Sequence, residues 1–214
     1  MIRKYLLKYL MNYINIVYPE IQLSIVSEPE VVASNGVVPT PKIIVEQIVK
    51  ETLKPLVNGK NSEELALLKI ADICCGSGTF LISIYDFLLK TTIERFIEDG
   101  ITDAELINEI AENTYGLTLR AKRNVIEQSI FGVDINPYAT EVTEFSLLLK
   151  LLEGESGSSI DHFIGQYETK VLPSLQNNIK CGNSLVDSKF FEFMPEAIED
   201  DRILFKVKPF DWNL

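Results

Sequence analysis

Three short turns in this 214-residue sequence gather the residues that could do chemistry. The first, Asp72-Ile73-Cys74-Cys75-Gly76-Ser77-Gly78, has glycines where a backbone must turn sharply and let a ligand come within van der Waals contact. The helix that follows would offer unpaired N–H groups. The second, Asp134-Ile135-Asn136-Pro137, puts an acid at the tip of an apolar run, where a carboxylate can accept both hydroxyls of a ribose. The third, Cys181-Gly182-Asn183-Ser184, carries an amide that is both donor and acceptor, suited to the amino group and neighbouring ring nitrogen of adenine. Each turn alone also has a plain structural reading. A Gly-x-Gly turn is common, Asn136 and Pro137 can simply cap and start a helix, and Gly182-Asn183 can simply end a strand.

Two phosphate templates fail on these residues. A dinucleotide fingerprint wants a third glycine where Leu81 stands, and no Gly-Lys-Ser/Thr loop for triphosphates exists. The gap from Asp72 to Asp134 is also far longer than the roughly 20 positions of a compact dinucleotide fold. Taken together, the turns describe a pocket for a nucleoside without phosphates. Thr40, before Pro41 at a helix start, adds a hydroxyl and a positive helix end for a carboxylate. A ligand with adenine, ribose and an amino-acid carboxylate is S-adenosylmethionine.

Strands and crossover helices must place these turns side by side. Thr40 is the expected N-cap and Pro41 the first position of a helix through Ile43, Ile44, Gln47, Ile48 and Leu53, ending by Asn58-Gly59. Leu67 to Cys74 reads as a short buried strand, and Phe80, Leu81, Ile84, Phe87 and Leu88 as a helix. Glu94 to Glu112 is acidic, with Arg95 its sole cation, and Ile101, Leu106, Ile107 and Ile110 make it an expected amphipathic helical insertion. Ser129 to Ile135 is a second strand. Pro137 opens a helix through Ala139, Val142, Phe145, Leu148, Leu149 and Leu152, and Gly154 to Ser159 reads as a flexible connection. Asn178 to Cys181 is a third strand, and Ile203, Phe205, Val207, Phe210 and Trp212 give the tail an apolar pattern. This order implies an α/β fold with a parallel sheet, whose ligands bind at the strands' carboxyl ends.

Composition narrows the function classes. Lys and Arg total 20 against 31 acids, a net charge of −11 and a pI near 4.7, so these residues make a poor stand-alone ligand for a phosphate backbone. With one histidine (His162), three cysteines and no CxxC or HExxH, a structural zinc site or zincin is not expected. Sparse cysteines suit a reducing cytosol. Met1 to Tyr18, with apolar Leu6, Leu10, Tyr13, Ile14 and Val17, reads as a docking amphipathic helix; it is too short and charged to span a bilayer.

Four segments in order resemble the motifs of N6-adenine DNA methyltransferases: Val37-Val38-Pro39-Thr40-Pro41, Asp72 to Phe80, Gly132 to Pro137, and Cys181-Gly182-Asn183-Ser184-Leu185. With the Thr-Pro motif first, the order resembles the gamma group, which includes type I modification subunits and fused restriction–modification enzymes. The resemblance implies a Rossmann-like S-adenosylmethionine-dependent methyltransferase fold, here a truncated parallel sheet with flanking helices. It divides the chain into a lead-in over residues 1–35 and a cofactor-binding part over 36–214. By resemblance, Thr40 would hold the methionine carboxylate, and Asp72, Cys74, Gly76 and Gly78 the methionine moiety. Asp134 would take the ribose hydroxyls, Ile135 would pack on adenine, and Asn183 would meet its edge. Where the family usually has an aromatic before Thr-Pro, this chain has Pro39.

The family's target-base turn, Asn/Asp-Pro-Pro-Tyr/Phe, does not occur in these residues. The expectation is therefore a cofactor-binding piece of a larger cytoplasmic enzyme, inactive alone, reaching DNA through regions outside this chain. It would leave a bare edge on the first strand, prone to self-association. Rival readings are a Mg²⁺-dependent nuclease segment (Asp161, Glu168, Lys170 in a loop), a non-catalytic interaction module, and a methyltransferase for RNA or protein.

Overall fold

The computed structural model describes residues 40–112, 114–167, 170–187, 189–195, 203 and 207–210. The expected helix at Met1 to Tyr18 lies outside them, as does most of the tail. The described elements run α1 (Lys42–Val57), α2 (Ser62–Ala66), β1 (Ile70–Asp72), α3 (Thr79–Glu98), β2 (Ile107–Ala111), β3 (Thr114–Leu117), α4 (Leu119–Ser129), β4 (Ile130–Asp134), α5 (Pro137–Leu151), α6 (Gly157–Tyr167), β5 (Ile179–Cys181) and α7 (Phe190–Phe193).

Three parallel strands form the sheet, in the order β1-β4-β5. Asp72 pairs with Gly132 and Asp134 with Cys181, so all three strands end on one side. This is a mixed α/β fold, a small parallel sheet flanked by helices, as the alternation of elements implies. Leu81, Tyr85 and Leu88 from α3, Ile126 from α4, Ile130 from β4 and Leu147 from α5 are almost wholly buried in one core with Val45, Val49 and Leu53 of α1. A second cluster joins Leu119, Leu151 and Phe163. Among the described residues β1 pairs only with β4, leaving its other edge without a strand partner. It is not the buried run expected from Leu67 to Cys74: only three residues are strand, and Leu67 is 80% exposed.

The acidic segment departs from its expected helix. α3 stops at Glu98, where the Ile101 N–H donates to the Phe96 carbonyl at 2.8 Å and Gly100 takes φ +69. That left-handed glycine with its long backbone bond is a helix-ending motif that a side chain would resist. Ile107–Ala111 and Thr114–Leu117 then pair as an antiparallel hairpin. Leu106, Ile107 and Ile110 fit a helical period by count alone, but the β-branched and aromatic residues around them favour a strand once the helix has ended. The Gly154–Ser159 connection is also more ordered than expected. Ser156 and Ser159 cap each other reciprocally, Ser159 N–H to Ser156 Oγ at 3.1 Å and Ser156 N–H to Ser159 Oγ at 3.0 Å, and α6 starts there. His162 and Asp161 therefore sit on a helix rather than in a loop.

Two helices present different faces from those expected. On α1 the buried residues are Val45, Val49, Leu53 and Val57, while Ile43, Ile44 and Ile48 are exposed. On α5 the buried face is Thr140, Thr143, Ser146, Leu147 and Leu151. Val142, Phe145 and Leu149, which carry the helical period in the sequence, form an exposed apolar stripe with Tyr138. On the core-facing side of α5, Thr140 and Ser146 satisfy their hydroxyls within the helix, donating to the Pro137 and Val142 carbonyls.

Candidate functional site

The site builds outward from the Asp134 carboxylate at the end of β4. Its Oδ2 accepts from the Gly76 N–H at 2.7 Å, and its Oδ1 from the Asn136 N–H at 2.9 Å. One acid thus joins the glycine turn to the turn that starts α5. Each carboxylate oxygen has a second lone-pair direction, so the group can still accept from a ligand's hydroxyls. Asn136 itself caps α5 through Oδ1, which accepts from the Tyr138 and Ala139 N–H groups at 2.9 and 3.3 Å.

The glycine turn is pinned from several directions. The Cys75 N–H donates to the Val133 carbonyl at 2.9 Å, and the Gly78 N–H to the Cys75 carbonyl at 2.8 Å. The Asp72 Oδ1 accepts from the Cys74 N–H at 3.1 Å. Gly78 has φ +79, and a Cβ there would lie 2.9 Å from Thr143 side-chain atoms, so this position requires glycine on both counts. Thr143, with no solvent exposure, donates its Oγ1–H to the Gly76 carbonyl at 2.7 Å.

The third turn is tied to the other two. The Gly182 N–H donates to the Asp134 carbonyl at 2.9 Å, and Ser184 Oγ–H to the Ile73 carbonyl at 2.7 Å. Asn183 accepts at Oδ1 from the Leu185 N–H at 3.1 Å, so part of its acceptor capacity is already used. Ile73 and Ile135 flank these turns half-exposed, each at 46%.

Electrostatics mark the same place. Burial raises the Asp72 carboxyl above its ordinary range; the Cys74 N–H opposes this and the nearby Asp134 charge adds to it. Burial, then the charges of Asp134 and Asp72, pushes the Cys75 thiol up to about 12. That cysteine is a neutral packing residue. Cys74, expected at the end of a buried strand, is exposed, and so is Cys181.

Asp72, Cys74, Gly76, Gly78, Asp134, Ile135 and Asn183 thus come together at adjacent strand ends. Thr40 is exposed, Pro41 takes the N-cap position in its stead, and the Pro41 carbonyl receives the Ile44 and Val45 N–H groups. Among the described residues, Thr40 has no hydrogen bond to the turns. Sequence reasoning missed three supports: Thr143, Ser184 and Lys208. A threonine inside an apolar-rich helix signals little unless its buried face is known, and Lys208 lies far downstream in sequence.

Elsewhere, a groove of about 680 Å³ lies between the hairpin and α6, lined in part by Glu105, Arg120, Lys122, Glu155, His162 and Tyr167. Arg120 pairs with Glu105 and Lys122 with Glu155. None of the expected site residues lines it. Of the residues named for the nuclease reading, Asp161 is on α6 and Glu168 lies outside the described residues. Among the described residues there is no cluster of three His, Cys, Asp or Glu able to hold a metal ion, and no helix long and apolar enough to cross a membrane.

Residues 49–209 match the family described as MmeI, DNA-methyltransferase domain. The chain belongs to this DNA-methyltransferase domain family. It is 37% identical over 175 residues to the type II restriction enzyme and methyltransferase RM.Eco57I of Escherichia coli, covering 82% of this chain and 16% of that protein. It is 28% identical over 149 residues to the adenine-specific methyltransferase PglX of Streptomyces coelicolor, covering 70% of this chain and 10% of PglX. The chain therefore spans a small part of the curated relatives it matches, and the three strand-end turns lie within the matched residues 49–209.

Proposed function

We propose that residues 36–214 are the S-adenosylmethionine-binding part of a site-specific adenine-N6 DNA methyltransferase of a restriction–modification system, preceded by a lead-in over residues 1–35. The observation that carries this reading is the 2.7 Å hydrogen bond from the Gly76 N–H to Asp134, which seats the ribose acid directly beside the glycine turn. The donor set suits the cofactor. Asp134 has acceptor capacity left for ribose hydroxyls, Ile135 and Ile73 offer apolar surface for a purine, and Asp72 is a carboxylate for an ammonium group. Asn183 would meet the adenine edge chiefly through its amide N–H₂, its oxygen already bonding Leu185.

When bound, S-adenosylmethionine supplies a methyl group activated on a sulfonium. These residues bind and orient it: backbone N–H groups of the glycine turn and Asp72 take the methionine end, Asp134 the ribose, and Ile135 and Asn183 the adenine. Thr40 is assigned to the methionine carboxylate on its motif position alone. No Asn/Asp-Pro-Pro-Tyr/Phe turn occurs in these 214 residues, so this chain by itself is expected to bind cofactor without methylating DNA. With a net charge of −11, DNA contact is assigned to other parts of the parent protein, in the cytoplasm, and the unpaired edge of β1 to contact with those parts or with a second copy. Titration calorimetry tests the reading: the wild type should bind S-adenosylmethionine and Asp134→Ala should bind it at least about tenfold more weakly, as expected for losing charge-assisted bonds. Equal affinity in both would reject the assignment.

A further inference from the structure

Lys208 is the sole non-glycine residue with positive φ among the described residues, at +38°. Its conformation is disfavoured twice, by its own Cβ and by the proline that follows, which restricts the residue before it to extended backbone. Such strain persists only where the surroundings hold a residue in place. The surroundings here are the third turn. The Asn183 N–H donates to the Lys208 carbonyl at 2.6 Å, the Phe210 N–H to the Val186 carbonyl at 2.7 Å, and Pro209 bridges Asn183 in parallel. Phe210 is 9% exposed, and a Cβ on Gly182 would stand 2.9 Å from the Phe210 Cβ. The absent side chain at Gly182 is what lets Phe210 seat. Finally, the Lys208 Nζ donates to the Ile135 carbonyl at 3.0 Å, across a gap of 73 positions in sequence.

We infer that Lys208-Pro209-Phe210 is a strap that positions the nucleoside half of the ligand, an inference resting on the S-adenosylmethionine reading above. Lys208 fixes the Ile135–Asn136 peptide, whose N–H donates to the Asp134 carboxylate, and with it the apolar side chain that faces the purine. Phe210 fixes the turn that carries Asn183. Both act through other groups, so they are positioning residues. The ammonium-to-carbonyl bond is the part that a plain structural strap would not need, because the two backbone bonds and Phe210 already anchor the segment.

Calorimetry on the full chain with two probes, S-adenosylmethionine and 5′-methylthioadenosine, tests this. The second probe keeps the nucleoside and lacks the amino acid. Lys208→Met should weaken both probes by one common factor of about ten, the size expected for a bond to a charged group, while Lys208→Arg should return to within about threefold of wild type. Lys208→Gly relieves the φ strain; it should melt no lower than wild type yet bind as weakly as Lys208→Met. If Lys208→Met and Lys208→Gly bind both probes as wild type does, or if Arg fails to restore what Met loses, the strap is structural only and the inference falls while the cofactor reading stands. A wild-type chain that binds neither probe overturns both.

Discussion

Thr143→Val exchanges a hydroxyl for a methyl at a position with no solvent exposure, changing chemistry while nearly keeping shape. What is lost is the 2.7 Å bond to the Gly76 carbonyl. A neutral hydrogen bond of this kind contributes about 1 kcal/mol, and leaving a part-buried carbonyl unpaired adds about 1 kcal/mol or more, so we expect stability to fall by about 2 kcal/mol. At the few degrees per kcal/mol typical of a chain this size, that is a drop of about 4–8 °C in melting temperature. The same residue carries the N–H that meets Asp134, so freeing its carbonyl should also weaken S-adenosylmethionine about fivefold. Thr143→Ser is the counterpart: it keeps the hydroxyl and removes a methyl, costing about 1 kcal/mol in packing with affinity within about twofold of wild type. Differential scanning fluorimetry and calorimetry on both variants give the comparison. If the valine variant binds as wild type does, or both variants lose affinity equally, the Thr143 hydroxyl does not position the turn.

Three further outcomes follow from the same geometry. Asp72 has a folded pKa above its ordinary value of 3.8, so the native state holds its proton longer than the unfolded chain. Wild-type stability should therefore fall as pH rises from the unfolded pKa through the folded one and then level off, and Asp72→Asn should remove that fall in urea melts; parallel curves would refute the environment assigned to Asp72. Dithionitrobenzoate at mildly alkaline pH should titrate exposed Cys74 and Cys181 in the native protein, and Cys75, 5% exposed with its thiol pushed up to about 12, only after unfolding. On α5, Leu147→Ala at 0% exposure should cost about 2–5 kcal/mol, whereas Phe145→Ser at 55% should change stability by about 0.5 kcal/mol or less; the reverse order in denaturant melts would overturn the assignment of faces.

The sheet and the turns were legible because their signals are local. Gly76 and Gly78 break a strand, and Asn136-Pro137 carries both the cap and the first-turn proline of α5. The helix faces were not legible. α1 and α5 each hold apolar residues all round, so periodicity alone selects a stripe without saying which stripe faces the core. On α5 the buried stripe is the one with hydroxyls, because Thr143 serves the glycine turn and Thr140 and Ser146 bond their own helix. The hairpin was missed for a related reason: Gly100 ends α3, and past that point a 3–4 spacing of isoleucines and leucines no longer implies a helix. At the site, the nearness of Asp134 to Gly76 follows from the parallel pairing of β1 with β4, whereas Lys208 reaches Ile135 through tertiary contacts that no local pattern encodes.

Co-crystallisation of the chain with S-adenosylmethionine puts the central assignment to its most direct test. We expect both ribose hydroxyls within O–H···O bonding distance of the Asp134 carboxylate, about 2.5–3.0 Å, with the purine against Ile135. A ligand seated elsewhere, such as the groove between the hairpin and α6, or a ribose turned away from Asp134, would contradict it.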